Sequence, residues 1–220
     1  MHKLTICLLS STLLASAMMV QAGQGQVGSL LQDMEIKTAE AAAGGYKAPR
    51  LFGHLSYYPG SAWGVYDSSD NSNTTMMANY NVSLDLAVPL KIGALGLGVY
   101  SMDSDDMTES GFNVAYYAKR TWGLSYGSRK FEYTDSGSDS GPIVEALLFP
   151  ATKPGKPSFT LGLGASKLWD KWLPSLSVNA AIPWKGNTTL DLSLWGIRDK
   201  YSDTSEQWAY RWSAGVGYSF

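Results

Sequence analysis

The chain has 220 residues, 45% of them hydrophobic and 12% aromatic, with 23 glycines and a formal charge of -2. That length fits one domain, and the aromatic and glycine content favours an all-β chain of many short strands over a helical bundle. The charge balance supplies no basic surface to meet phosphates, which argues against a nucleic-acid partner.

His2 and Lys3 open the chain, Leu4 to Val20 is a nearly uncharged apolar run, and Val20-Gln21-Ala22 places short residues before a cleavage position. The pattern predicts an export signal over residues 1–22, removed before Gly23. A retained anchor is the alternative, although the run is short for the ~20 residues of a spanning helix. Cys7, the one cysteine, falls inside the signal. The mature chain is therefore expected to lack thiols, disulfides and Cys-based metal sites.

Residues 23–50 form a separate periplasmic segment in this reading. Val27, Leu30, Leu31 and Met34 recur at helical spacing before Gly44-Gly45, which predicts a short amphipathic helix. It either lies against a membrane, closes the mouth of a barrel or is a loosely ordered leader.

From residue 51 to 220 the period changes to two, and ten strands are expected near 51–66, 76–89, 92–102, 110–119, 121–133, 142–150, 158–168, 173–184, 188–198 and 207–220. Counted back from a periplasmic C-terminus, the outward connections are YDSSDNSNT, MDSDDMTE, YTDSGSDSG, KLWDKW and DKYSDTSEQ, and the inward-side ones are PLK, KRT, PATKPGKP and PWKGN. Acids collect in the first set, among them Asp67, Asp70, Asp103, Asp105, Asp106, Glu109, Asp135, Asp139, Asp199, Asp203 and Glu206. Bases collect in the second, at Lys91, Lys119, Arg120, Lys153, Lys156 and Lys185. KLWDKW is short and mixed in charge, which suggests a taller hairpin between the seventh and eighth strands. An eight-stranded count is the nearest alternative.

The strands specify two faces. The second sets Tyr80, Val82, Leu84, Leu86 and Val88 against Asn79, Asn81, Ser83, Asp85 and Ala87, and the last sets Trp208, Trp212 and Val216 against Arg211, Ser213 and Gly217. A soluble secreted barrel binding a small ligand would turn the apolar set inward; a membrane barrel turns it to lipid. Trp122 and Trp184 at one end and Trp208 and Trp212 at the other fit aromatic girdles at a membrane boundary. With the closing GVGYSF, the chain resembles Gram-negative outer-membrane β-barrel proteins over nearly all its mature length. The resemblance implies an antiparallel up-and-down transmembrane barrel, contact with outer-membrane lipids and lipopolysaccharide, and a monomer. It also implies a last strand read by the barrel-assembly machinery, through Tyr210, Trp212, Tyr218 and Phe220.

Three constellations are candidates for chemistry. A hairpin centred on Gly137 would set Arg129 opposite Glu145 in the lumen, as a buried pair that fixes shape or as the charged constriction of a pore. A first loop centred between Ser69 and Asp70 would set His54 opposite Asp85 and Ser56 opposite Ser83, bringing Ser, His and Asp together. A bulge at Pro59-Gly60 would alter that facing. His54 is the only histidine outside the signal. Omptin proteases and the deacylase barrels place a histidine late in the chain, so their chemistry is not expected. Asp103, Asp105 and Asp106 could hold Ca²⁺ or Mg²⁺, but no EF-hand spacing accompanies them and a solvated loop is the plainer reading. No cofactor is expected. The sequence thus leads to a non-enzymatic envelope barrel, plugged or narrowly porin-like, with a lipid-modifying enzyme using His54 and Asp85 as the alternative.

Overall fold

The structure, a computed structural model, describes residues 26–220 apart from 46, 70, 120, 135, 136, 154, 169 and 201–205. The expected export signal, its cleavage position and the charges at Asp70, Arg120, Asp135 and Asp203 lie outside the described residues. One helix, α1 (Val27–Gly44), precedes ten strands. These are β1 (Phe52–Asp67), β2 (Ser72–Pro89), β3 (Ala94–Ser104), β4 (Met107–Ala118), β5 (Trp122–Tyr133), β6 (Gly137–Leu148), β7 (Ser158–Leu168), β8 (Lys171–Lys185), β9 (Thr188–Lys200) and β10 (Glu206–Ser219).

Each strand pairs antiparallel with its sequence neighbours, and β1 also pairs with β10, so the sheet closes into a barrel. Closure leaves no free strand edge. The lower end is where β1 begins and β10 finishes; the upper end carries the β1–β2 and β3–β4 turns.

All ten strands stand close to their expected positions, but the upper connections differ. Met107 to Glu109 and Ser138 to Ser140, assigned to loops by their polarity, are paired strand. Period-two alternation continues through these polar segments, so composition shortened the strands where the ladder does not. Leu168 pairs with Lys171, which gives the taller β7–β8 hairpin. The longest connection between consecutive strands is 149–157, at the lower end. Loop length therefore does not separate the two ends.

The outer surface is apolar. Leu97, Val114, Leu124, Leu163, Leu192 and Leu194 are exposed along it, as are Trp122 and Trp184 near the lower end and Trp208 and Trp212 near the upper. Buried polar residues such as Asn81, Ser83, Asp85, Ser177 and Asn179 occupy the other face. This arrangement inverts a soluble barrel and is that of a transmembrane one. Among the described residues no helix is long and apolar enough to cross a membrane.

The lumen is filled in three layers. At the bottom, Val27, Leu30, Leu31 and Met34 of α1 pack against Phe52, Ala87, Ala115, Tyr117, Leu147 and Phe149. The first turns of the helix are buried, whereas Thr38 to Glu40 are exposed. The wall caps what the helix leaves open, because the Gly28 N–H donates to Thr160 Oγ1 at 3.1 Å and Gln32 Nε2 donates to the Lys153 carbonyl at 2.7 Å. Gly45, at φ 70°, ends the helix in the left-handed conformation. The middle layer is polar. The top layer is apolar again, built from Trp63, Met102, Phe131, Leu173, Trp195 and Ile197 with others.

The seam between first and last strands carries two aromatic locks. A Cβ on Gly64 would stand 2.1 Å from Tyr210 Cζ, and one on Gly53 2.1 Å from Phe220 Cζ, so each ring lies directly over a glycine. Such packing covers glycine in a sheet and pins register. Gly64→Val should displace the Tyr210 ring and destabilise the barrel by about 1–3 kcal/mol. The double variant Gly64→Val/Tyr210→Ala should recover part of this, read from urea unfolding in lipid vesicles. Additive effects of the two changes would refute the lock.

Candidate functional site

The middle layer holds the charges. Glu109 of β4, fully buried, accepts from Tyr100 Oη, from Arg211 Nη1 and, at 2.8 Å, from Trp63 Nε1. Arg129 Nε stands 3.2 Å from Glu109 Oε1 and 3.1 Å from Tyr100 Oη. The Arg129 guanidinium stacks on Trp195 with Cζ 3.7 Å from the ring centroid, and Arg211 lies 5.1 Å from the Tyr100 ring centroid. Strands β1, β3, β4, β5 and β10 thus meet at one carboxylate, and β9 joins them through Trp195 against the arginines. Two arginines share that carboxylate, and each also lies against an aromatic face.

Sequence reasoning set Arg129 against Glu145, and the register corrects this. Arg129 pairs with Gly141 and Glu145 with Ser125, because the β5–β6 hairpin turns two residues early, with Tyr133 opposite Gly137. Both side chains are buried, but Arg129 is bound to Glu109. Glu145 Oε1 receives a long contact from Ser177 Oγ at 3.4 Å. Glu109 itself, expected among the solvated acids of an upper loop, is a lumen residue.

Below this network is a second one. His54 pairs with Asp85 and Ser56 with Ser83 across β1 and β2, yet the carboxylate that His54 contacts is Asp191 of β9. His54 Nε2 is 2.9 Å from Asp191 Oδ2, His54 Nδ1 is 2.9 Å from Ser219 Oγ, and Ser56 Oγ donates to Asp191 at 2.6 Å. Thr189 Oγ1 donates to the other oxygen at 2.5 Å. The bulge at Tyr57/Gly60 shifts register with β10 above His54. Its consequence is to turn Trp63, an odd-numbered residue, to the side that His54, Ser56 and Tyr58 occupy below it.

A serine, a histidine and an aspartate are therefore in line, Ser219–His54–Asp191, each nearly or wholly buried. The cluster lies tight under Gly217, where a Cβ would come within 2.2 Å of Asp191 Oδ2 and 2.4 Å of His54 Nε2. A nucleophile needs a substrate carbon within reach. The packing around this one gives a side-chain cluster that ties β1, β9 and β10 together.

Asp103, Asp105 and Asp106 lie at the β3–β4 turn. Asn79 Nδ2 donates to Asp105 at 3.0 Å and Thr108 Oγ1 donates to Asp103 at 2.7 Å, so Asp103 and Asp105 are held by polar neighbours. Among the described residues no three His, Cys, Asp or Glu side chains are grouped to hold a metal. In the last strand Trp212, Tyr218 and Phe220 face outward, and Tyr210 Oη donates to Asn73 Oδ1 at 2.9 Å.

Glu109, Asp191, Tyr100 and Trp195 were missed as site residues. Arg211 was visible as a polar-face charge, but its partner Glu109 comes from a strand far away in sequence. No family model matches the chain, and no curated protein matches it. Among solved structures it is similar to a de novo designed transmembrane β-barrel (12% identity, TM-score 0.32, covering 79% of this chain and 98% of that one). It is also similar to an anion-selective porin from Comamonas acidovorans (14%, 0.35, 76% and 59%). A third is an outer membrane channel from Pseudomonas putida F1 (12%, 0.40, 77% and 95%). Likeness at this level carries no argument about activity.

Removing Glu109 leaves two buried guanidiniums without their carboxylate. Glu109→Ala should cost about 3–5 kcal/mol of unfolding free energy, with Glu109→Gln costing less because it keeps an acceptor for Trp63 and Tyr100. Chemical unfolding in lipid vesicles measures both, and a loss below about 1 kcal/mol for Glu109→Ala would show that the network is not central to stability.

Proposed function

We propose that the protein is a non-enzymatic, plugged outer-membrane barrel, exported through the cleavable signal at residues 1–22. In this reading the lower end is periplasmic and the apolar belt meets outer-membrane lipids, with lipopolysaccharide in the outer leaflet. The barrel is a monomer, inserted by the assembly machinery through its last strand. Its role is structural or surface-interacting. The observation that carries the plugged reading is α1 seated in the lower mouth with Leu30 and Leu31 buried. The Glu109–Arg129–Arg211 network above it adds a second obstruction.

A planar bilayer experiment tests this. The inserted protein should give no resolved single-channel steps; regular open steps would instead favour the narrow porin-like passage. Deleting residues 27–44 should leave the bilayer silent as well, since the charged network spans the lumen independently of the helix.

The second reading, a lipid-modifying enzyme, draws on the Ser219–His54–Asp191 alignment. Its burial under Gly217 weighs against it. His54→Ala should leave the envelope lipid profile unchanged while lowering barrel stability, whereas loss of a modified lipid species would establish the enzyme.

A further inference from the structure

Among the described residues, the buried charges of the lumen are unequal in number. Four carboxylates, Asp85, Glu109, Glu145 and Asp191, face two guanidiniums, Arg129 and Arg211, and the single imidazole of His54. Asp199, near the upper end, has Lys171 at 3.2 Å. Glu109 holds both arginines, and Glu145 lies within electrostatic reach of the same two. His54 Nε2 is taken by Asp191 at 2.9 Å. Asp85 is the carboxylate left over, whatever the protonation of His54.

The surroundings of Asp85 agree with this count. Its Oδ2 is buried without a hydrogen-bond partner, and so is Asn113 Oδ1 beside it. Both side chains close over Gly98, where a Cβ would stand 2.7 Å from Asp85 Oδ1 and 2.3 Å from Asn113 Oδ1. Carboxylate and amide oxygens accept and do not donate. A cationic donor is the group that fits, since a buried carboxylate is stabilised by opposite charge and by N–H bonds together.

The chain carries such a donor close by. Gln26, just ahead of α1, is buried, and its Nε2 donates to the Leu192 carbonyl at 3.0 Å, next to Asp191, and reaches Tyr58 Oη at 3.4 Å. The Tyr58 hydroxyl is within electrostatic reach of both Asp191 and Asp85. The helix thus points its N-terminal end into the lower polar network. Removal of the expected signal before Gly23 leaves three residues ahead of Gln26, Gly23-Gln24-Gly25, which lie outside the described residues. Three residues span about 10 Å at full extension, a tether that reaches Asp85. The way back to the mouth is taken by the first turns of α1, packed against Phe52, Tyr117 and Phe149. Two of the three residues have no side chain and the third has no charge, which suits a filled lumen.

We propose that the α-ammonium of Gly23 is the missing cation of the lower network: it pairs with Asp85, so the N-terminus made by signal removal pins α1 inside the barrel. The pair rests on the exported, plugged-barrel reading above. In the precursor the Gly23 nitrogen is an uncharged peptide amide with 22 residues ahead of it. Hydrolysis of the bond after Ala22 turns it into an amine, which is protonated at neutral pH. The lock therefore forms only on the processed chain.

The test uses the chain beginning at Gly23, folded in phosphatidylcholine nanodiscs that leave both ends open to solvent. The probe is 2-pyridinecarboxaldehyde, which gives a stable product with an α-amine and none with lysine. Labelling should be about tenfold or more slower in the folded barrel than in the same chain in urea. Asp85→Asn, which keeps the shape and removes the charge, should restore most of that rate. Acetylation of Gly23 should lower the urea midpoint of the unsubstituted protein and have little further effect on Asp85→Asn, as expected for two groups of one pair.

Labelling of the folded protein at the unfolded rate would overturn the proposal. Slow labelling unchanged by Asp85→Asn, or additive effects of acetylation and Asp85→Asn, would overturn the pair with Asp85. The reading beneath it has separate readouts. A Cβ on Gly28 would stand 3.0 Å from Thr160 Oγ1, so Gly28→Cys/Thr160→Cys should form a disulfide on oxidation when α1 is seated. A folded barrel that does not form it, or a chain from membranes whose mass shows a start other than Gly23, would overturn the proposal by removing that reading. A seated helix and a Gly23 start with a freely labelled amine would overturn the lock alone.

Discussion

A bilayer core supplies no hydrogen bonds to a polypeptide, so a sheet placed there must satisfy every backbone N–H and C=O internally. Closure of β1 on β10 meets that demand, and much else in the molecule follows from it. Ten strands in a ring enclose a small cross-section. Side chains pointing inward must fill that space, and those pointing outward must be apolar. The alternation along every strand is the sequence expression of this one constraint.

Filling the ring has consequences that differ with height. At the bottom the wall supplies Phe52, Tyr117, Leu147, Phe149 and three alanines, and the first turns of α1 pack into the space among them. In the middle the wall contributes charges, which inside a ring must find each other. They do so across the lumen, Glu109 with Arg129 and Arg211, Asp191 with His54. Near the top the wall is apolar on both faces, and there the ladder between β6 and β7 stops.

Local periodicity made the strands, their facing and the helix legible in the sequence, since each depends on neighbours two or four residues away. It also carried the register of β1 on β2, because the reflection through that loop was centred correctly and His54 does stand opposite Asp85. The same reasoning failed at the β5–β6 hairpin. A two-residue error in the centre of the β5–β6 turn moved Arg129 four places from its true partner, and polar strand extensions such as Ser138 to Ser140 gave no sign of their pairing. The lumen networks were harder still. Glu109 and Arg211 are 102 residues apart and lie on strands that are not neighbours in the sheet, so no hairpin reflection brings them together. The depth to which α1 enters the barrel is likewise set by shape complementarity, which period and composition do not encode.

The contact between His54 and Ser219 joins residues 165 positions apart. Loop-closure entropy makes such a contact among the last to be rewarded during folding. Until β10 docks on β1, His54, Ser56 and Asp191 belong to an open sheet whose interior is wet and whose two edges are unpaired. Docking removes water from all three in the same step that seats Phe220 over Gly53. The polar cluster thus works as a completion check: its groups are solvated in every partly assembled barrel and mutually satisfied only in the finished one. A slip of β10 by one residue would bury His54 and Asp191 without each other, at the penalty of unpaired polar groups in a dry interior. Register fidelity at the closing seam is therefore enforced from inside the lumen as well as by the aromatic residues outside it.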